Sequence, residues 1–469
     1  MSTLSPKTVQ CVSPVDSSIY AERPLAEAID IENAIASARK AQRDWEALSI
    51  SERAEYCGRA VEAMLAMGDE IIPELAWQMG RPIRYGQGEL NGFAERARHM
   101  IAIAEEALED IVPKPKAGFA RFIKREPVGI VFTVAPWNYP YLTTVNSIIP
   151  ALMAGNAVML KHARQTLLVG ERFAQALRQA GLPEGLFHNL VLSHQQTADI
   201  ISGGLVDVVC FTGSVGGGTS IEKSAAGQFI RLGLELGGKD PAYVRRDANL
   251  EFAIENLVDG AFFNSGQSCC GIERIYVDRE VFTPFLEGFT GLVSKYVLGS
   301  PLDEKTTMGP MVNGAAADFV RRQISEALNA GAKAHIDEAA FALSKSGTPY
   351  LAPQVLTDVD HQMSVMMEES FGPVIGIMPV NSDDEAIALM NDSPFGLTAS
   401  VWSEDADTAL FIGNRIETGT FFMNRCDTLD PALAWTGIGD SGCGCTLSAL
   451  GYEQLTRPKS FHLRYTAGG

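Results

Sequence analysis

A chain of 469 residues with 46% hydrophobic and 20% charged residues has the composition of a folded globular protein, and it is too long for one ordinary core, so two large domains and a smaller appendage are expected. The formal net charge of −19 argues against nucleic acid or an anionic membrane as a partner. The eight cysteines, at 11, 57, 210, 269, 270, 426, 443 and 445, form no Cys-x-x-Cys pair, so neither a disulfide framework nor a metal site is expected.

In chain order, residues 1–10 lack a basic segment followed by an apolar core, which points to a cytoplasmic protein. Residues 31–110 read as successive amphipathic helices, with Val61, Met64, Ile71, Leu75 and Met79 recurring at helical spacing. Residues 112–127 mix Phe119, Phe122 and Ile123 with Arg121, Lys124 and Arg125, the pattern of an exposed hairpin. The apolar run 128–160 is longer than a bilayer span, but Pro136, Asn138, Pro140, Asn146, Pro150 and Asn156 break it into strand, turn, helix and strand. Buried parallel strands over 129–134, 157–161, 206–211 and 231–236, with a helix over 166–179, predict an open, doubly wound α/β domain. A second α/β unit follows over 237–440, and 456–465 alternates as an edge strand.

Four motifs carry chemistry. The run Asn264-Ser265-Gly266-Gln267-Ser268-Cys269-Cys270 puts a thiol directly after a glycine turn, where backbone amides can face a substrate oxygen, so Cys269 is the candidate nucleophile. In Leu234-Glu235-Leu236-Gly237-Gly238-Lys239 a carboxylate ends an apolar strand, and desolvation there raises its pKa toward the range of a general base. Pro136-Trp137-Asn138-Tyr139-Pro140 offers an amide donor on a rigid turn, suited to an oxyanion. Phe211-Thr212-Gly213-Ser214-Val215-Gly216-Gly217-Gly218 ends a strand and opens a helix, where bare backbone can approach a pyrophosphate.

Together with Glu368-Glu369-Ser370-Phe371-Gly372-Pro373 and Thr436-Gly437-Ile438-Gly439-Asp440-Ser441-Gly442, in this order, the chain resembles the NAD(P)-dependent aldehyde dehydrogenase superfamily over nearly its whole length. The resemblance implies a Rossmann-like cofactor domain (1–109 and 128–236), an α/β catalytic domain (237–440) and a β arm (110–127 and 441–469) that joins subunits into a homodimer or homotetramer. It implies Cys269 as nucleophile, Glu235 as the base that activates water, and Asn138 with the Cys269 backbone amide as oxyanion donors. On the NAD or NADP side it implies Trp137, Lys161, Gly213, Ser214, Gly218, Glu369 and Phe371. Tyr139, Leu142, Thr143 and Asn146 would line the aldehyde tunnel with Cys270.

Two departures bear on specificity. Many NAD-preferring relatives follow the lysine with Pro-x-Glu, whereas this chain reads Lys161-His162-Ala163-Arg164, so Arg164 is expected to favour a 2′-phosphate. Succinate-semialdehyde-specialised relatives often carry arginine where Asn146 stands, so its absence weakens a dicarboxylate-type assignment, although Arg425 could still meet a substrate carboxylate from the opposite wall. The expected reaction is oxidation of a small or medium aldehyde to the acid. The alternatives are a CoA-acylating dehydrogenase and a non-catalytic structural or binding protein of the same fold.

Overall fold

The computed structural model describes residues 7–465. It opens with an antiparallel pair, β1 (Thr8–Val12) and β2 (Ile19–Pro24), a region where the sequence reading assigns no element. Four helices follow: α1 (Ala28–Glu46), α2 (Ile50–Leu65), α3 (Gly68–Met79) and α4 (Gly86–Ala107). After β3 (Phe119–Pro127) the chain alternates through β4 (Ile130–Val134), α5 (Pro140–Met153), β5 (Ala157–Lys161), α6 (Leu167–Gln179), β6 (Phe187–Asn189), α7 (His194–Ser202), β7 (Val208–Thr212), α8 (Val215–Ala225) and β8 (Arg231–Glu235).

The second unit begins with β9 (Asp240–Val244), α9 (Leu250–Phe262), β10 (Ile272–Asp278), α10 (Phe282–Val293) and α11 (Gly314–Asn329). It continues with β11 (Lys333–Ala334), β12 (Gln354–Thr357), α12 (Ser364–Met367), β13 (Val374–Val380), α13 (Asp383–Asn391), β14 (Phe395–Gly396), β15 (Thr398–Trp402), α14 (Ala406–Gly413), β16 (Thr420–Met423) and β17 (Ile438–Gly439). β18 (Gly442–Cys443), α15 (Gly451–Gln454) and β19 (Thr456–Arg464) close the chain.

Two sheets organise these elements. The first has six strands in the order β18-β8-β7-β4-β5-β6, all parallel except β18. β4 is buried at every position and β5 at all but its last, which is why both read as unbroken apolar runs. From β4 the chain winds outward through β5 and β6, then returns to the other side of β4 with β7 and β8. The order therefore reverses between β4 and β7, and a crevice opens at the carboxyl ends of those two strands, the place where open α/β sheets bind ligands. The second sheet has seven strands, β11-β12-β13-β10-β9-β15-β16, and its β10 begins three residues after Cys269.

β3 and β19 pair with each other over their full length, from Thr456 opposite Pro127 to Arg464 opposite Phe119, with Phe122 stacked on Phe461. The arm is narrower than 441–469, because Gly442 and Cys443 pair with Glu235 and Leu234 as the edge of the six-stranded sheet. The Gly442 turn has a φ of 108°, and its Cα packs on the Leu234 carbonyl, so only glycine lets this edge close. No helix among the described residues is long and apolar enough to cross a membrane.

Candidate active site

Cys269 stands where two cavities meet. One, about 310 Å³, is bordered by Tyr139, Leu142, Thr143, Asn146, Glu235 and Cys270; the other, a groove of about 690 Å³, runs past Trp137, Lys161, Gly213, Ser214, Glu369 and Phe371. A nucleophile shared by both can touch one ligand from each side.

The loop before Cys269 takes an uncommon path. Asn264, Ser265 and Gly266 all adopt left-handed backbone, with φ of 54°, 57° and 72°. Such a run persists only where surrounding contacts over-determine it. Ser265 Oγ donates to the Gly309 carbonyl at 2.8 Å, Gln267 Nε2 donates to Asn264 O at 3.0 Å, and Gln267 Oε1 accepts from Val312 N at 2.8 Å. Asn138 is buried and its Nδ2 donates to Gln267 O at 3.1 Å, which fixes its amide next to the nucleophile loop. The Cys269 N–H donates to no acceptor among the described residues, so it remains available to an oxygen bound at the sulfur.

A buried ion pair that the sequence reading missed holds the Asn138 turn. Arg81 pairs with Glu89, both essentially inaccessible, and Arg81 Nη2 donates to Asn138 O at 2.5 Å. Glu89 Oε1 accepts from the Tyr141 and Leu142 amides at 2.9 and 3.1 Å and so caps the first turn of α5. Removing one partner leaves a buried charge uncompensated, so Glu89→Gln is expected to cost about 3–5 kcal/mol of stability. Urea unfolding checks this, and a midpoint equal to the parent's would show that the pair does not brace the turn.

Glu235 Oε2 accepts from Thr212 Oγ1 at 2.9 Å and Oε1 from Thr446 Oγ1 at 2.5 Å. Burial pushes its pKa above the ordinary carboxylate range, and the two threonine hydrogen bonds hold it back in part. Cys270 is buried and its Sγ donates to Asp427 Oδ1 at 3.2 Å, alongside Ser268 Oγ at 2.7 Å. Desolvation lifts Asp427 to about 6.

At the other face of Cys269, Lys239 and Glu273 form a buried pair at 2.6 Å. Glu273 accepts from the Ser370 and Phe371 amides at 2.8 and 2.9 Å, which holds Phe371 (φ 48°) edge-on to Trp137, ring centroids 5.6 Å apart. Glu369 accepts from Gly238 N at 3.2 Å, with Gly237 bare beneath it; a side chain on Gly237 would collide with the carboxylate. Burial first, then the neighbouring Glu273 charge, raises Glu369 to about 7.

The groove continues to the start of α8, where Ser214 caps the helix by accepting from Gly217 N at 3.2 Å. Gly216 and Gly217 border the groove with backbone alone, which fits a pyrophosphate at a helix N-terminus. Gly218 does not border it, because the Leu236 side chain fills the space beside its Cα; its absence of a Cβ serves helix–strand packing. Arg164 is exposed and lies outside the groove lining, since the chain turns outward into a short 3-10 helix (Arg164–Thr166) after Ala163. Arg425 is also exposed and outside the substrate cavity. Its Nη2 donates to Thr428 Oγ1 at 3.1 Å, and Asp427 takes the inward position.

The Aldehyde dehydrogenase family model matches residues 2–461. The chain belongs to the aldehyde dehydrogenase family. An aldehyde dehydrogenase of Paenarthrobacter nicotinovorans is 34% identical over 438 residues, 92% of this chain and 94% of that one. An Escherichia coli relative, succinate semialdehyde dehydrogenase [NAD(P)+] Sad, is 30% identical over 97% of both chains. The solved NAD-dependent aldehyde dehydrogenase from Sinorhizobium meliloti superposes with a TM-score of 0.93 at 31% identity, covering 99% of this chain and 92% of that chain. This aldehyde dehydrogenase is therefore an NAD(P)-dependent oxidoreductase that converts aldehydes to acids.

Proposed function

We propose that the enzyme oxidises a small or medium aldehyde through a thiohemiacetal and then a thioester on Cys269, and that water resolves the thioester. The observation that carries this reading is the position of Cys269 at the junction of an aldehyde-sized cavity and a groove fitted to a dinucleotide. The Cys269 thiolate attacks the carbonyl carbon, and the oxygen that becomes negative meets Asn138 Nδ2 and the Cys269 N–H. Trp137, Lys161, Ser214, Glu369 and Phe371 would hold the nicotinamide cofactor in the groove, where it would supply the acceptor for the hydride that leaves the tetrahedral carbon. Glu235 then takes a proton from the water that attacks the thioester, and the acid departs with the thiolate restored.

A base beside the thioester favours hydrolysis over acyl transfer to CoA. The test supplies aldehydes with NAD or NADP, with and without CoA, and follows reduced cofactor and the acid product. Absence of reduced cofactor for every aldehyde, or appearance of acyl-CoA in place of acid, would overturn the reading.

The same proposal assigns the cofactor domain to 1–109 and 128–236, the catalytic domain to 237–440, and subunit contact to the arm of β3 and β19. β19 pairs only with β3 among the described residues and leaves a free edge, whereas β3 is also bridged by Ile111 at Ile123; a second subunit can cover the β19 edge in a homodimer or homotetramer. A cytoplasmic location agrees with eight free cysteines among the described residues. Arg164 lies outside the groove but stands one residue past Ala163, which borders it, and its exposed guanidinium would swing back to a 2′-phosphate. NADP is expected to bind at least as tightly as NAD, and Arg164→Glu to lower the NADP-to-NAD affinity ratio about tenfold or more. Fluorescence titration with both cofactors reads the ratio; an unchanged value removes Arg164 from cofactor selection.

A further inference from the structure

Helix α4 presents Glu89, Gly92 and Arg96, three and seven residues apart along one face, to the substrate cavity. Gly92 lets α4 approach α5, since a side chain there would strike Leu142. The two charges on this face meet different surroundings. Glu89 is answered by Arg81. Arg96 is only 8% exposed, yet its guanidinium has a single protein acceptor, the Leu142 carbonyl, at 2.7 Å from Nη1. Arg96 forms no ion pair among the described residues, and the carboxylate charges acting on it, from Glu89 and Glu235, lie beyond ion-pair distance. A guanidinium carries five N–H donors, and a buried charge left without a partner is costly, so the unused donors call for an anion in the cavity.

A second buried group in this cavity lacks a partner, and it calls for a donor and not for an anion. Asn146 is 4% exposed, borders the cavity, and has its Oδ1 without a hydrogen-bond partner. Of the acids that share the cavity, Glu89 is paired with Arg81, Glu235 is held by Thr212 and Thr446, and Asp427 is occupied by Ser268 and Cys270; the Glu89 and Glu235 charges act on Arg96 from beyond ion-pair distance, and Glu95 is exposed.

We propose that Arg96 determines specificity by pairing with a carboxylate carried by the aldehyde itself, a few carbons from the carbonyl that Cys269 attacks. This rests on the reading above that the cavity is the aldehyde site. It moves the anion partner from Arg425, which faces solvent, to a residue on α4 that faces the nucleophile.

The test compares kcat/KM for three aldehydes of equal carbon number: succinate semialdehyde, butanal and 4-aminobutanal. The parent should prefer succinate semialdehyde. Arg96→Leu should lower the succinate semialdehyde-to-butanal ratio about 10- to 100-fold, the loss expected for a charged hydrogen-bonded contact. Arg96→Gln, which keeps a polar side chain, serves the same comparison if the leucine variant does not fold, and Arg96→Lys should fall between it and the parent. A role confined to tuning Cys269 or Glu235 would lower all three substrates together. An unchanged ratio in the uncharged variants, or a parent preference for butanal or 4-aminobutanal, would overturn the proposal. Calorimetric titration of succinate and butyrate into Cys269→Ala protein needs no turnover. Tighter binding of succinate that disappears on adding Arg96→Leu supports the anion site even if no aldehyde is oxidised, whereas equal binding counts against it even in an active enzyme.

Discussion

Cys269→Ala is expected to lower aldehyde oxidation on the order of 10⁴-fold or more, because an aldehyde carbon cannot release hydride until a nucleophile has made it tetrahedral. Cys270→Ala should keep most of the activity. The two thiols are adjacent in sequence but differ in surroundings: Cys269 borders both cavities, while Cys270 is buried and donates to Asp427. The neighbouring Cys269 thiol first, then burial and the Asp427 charge, hold the Cys270 thiol well above its ordinary pKa and keep it protonated. Reduced-cofactor formation measured on both variants decides the assignment, and residual activity in Cys269→Ala comparable to the parent would refute it.

Glu235→Gln should separate the two halves of the reaction. The amide keeps the size and the hydrogen bonds available to Thr212 and Thr446 but takes no proton from water. A rapid burst of about one reduced cofactor per active site is expected, followed by turnover slowed about 10²- to 10⁴-fold. Intact mass of the quenched enzyme should then show the acyl adduct on Cys269. The pH dependence follows from the raised pKa of Glu235: the base form exists above that pKa and is lost as pH falls through it. Turnover should therefore fall on the acid side at a pH above the ordinary carboxylate range, and Glu235→Gln should lack that limb. Loss of the burst along with turnover would instead place Glu235 in forming the thiolate.

The parts of this enzyme set by local chemistry are readable in its sequence. β4 and β5 are unbroken apolar runs because both faces of a parallel sheet are covered, and the turns that lead into them carry Pro127 and Gly129 before β4 and Gly155 before β5, because the backbone must change direction there. Cys269, Glu235 and Asn138 each sit at a loop or strand end next to such punctuation, so their motifs are short and contiguous. What only the tertiary structure decided are side-chain directions set by distant partners. Thr446 lies 211 residues from the Glu235 it steadies, and Glu89 caps a helix 52 residues on. Gly218, in a glycine-rich run, turns to Leu236 and leaves the groove to Gly216 and Gly217. Arg425 and Arg96 make the same point in opposite directions. One stands beside a motif residue and faces solvent; the other lies in a helix with no recognisable motif and faces the nucleophile. Periodicity and local propensity specify which residues share a face, but which face meets the cavity depends on how α4 packs on α5, and that packing is settled only when the whole chain has folded.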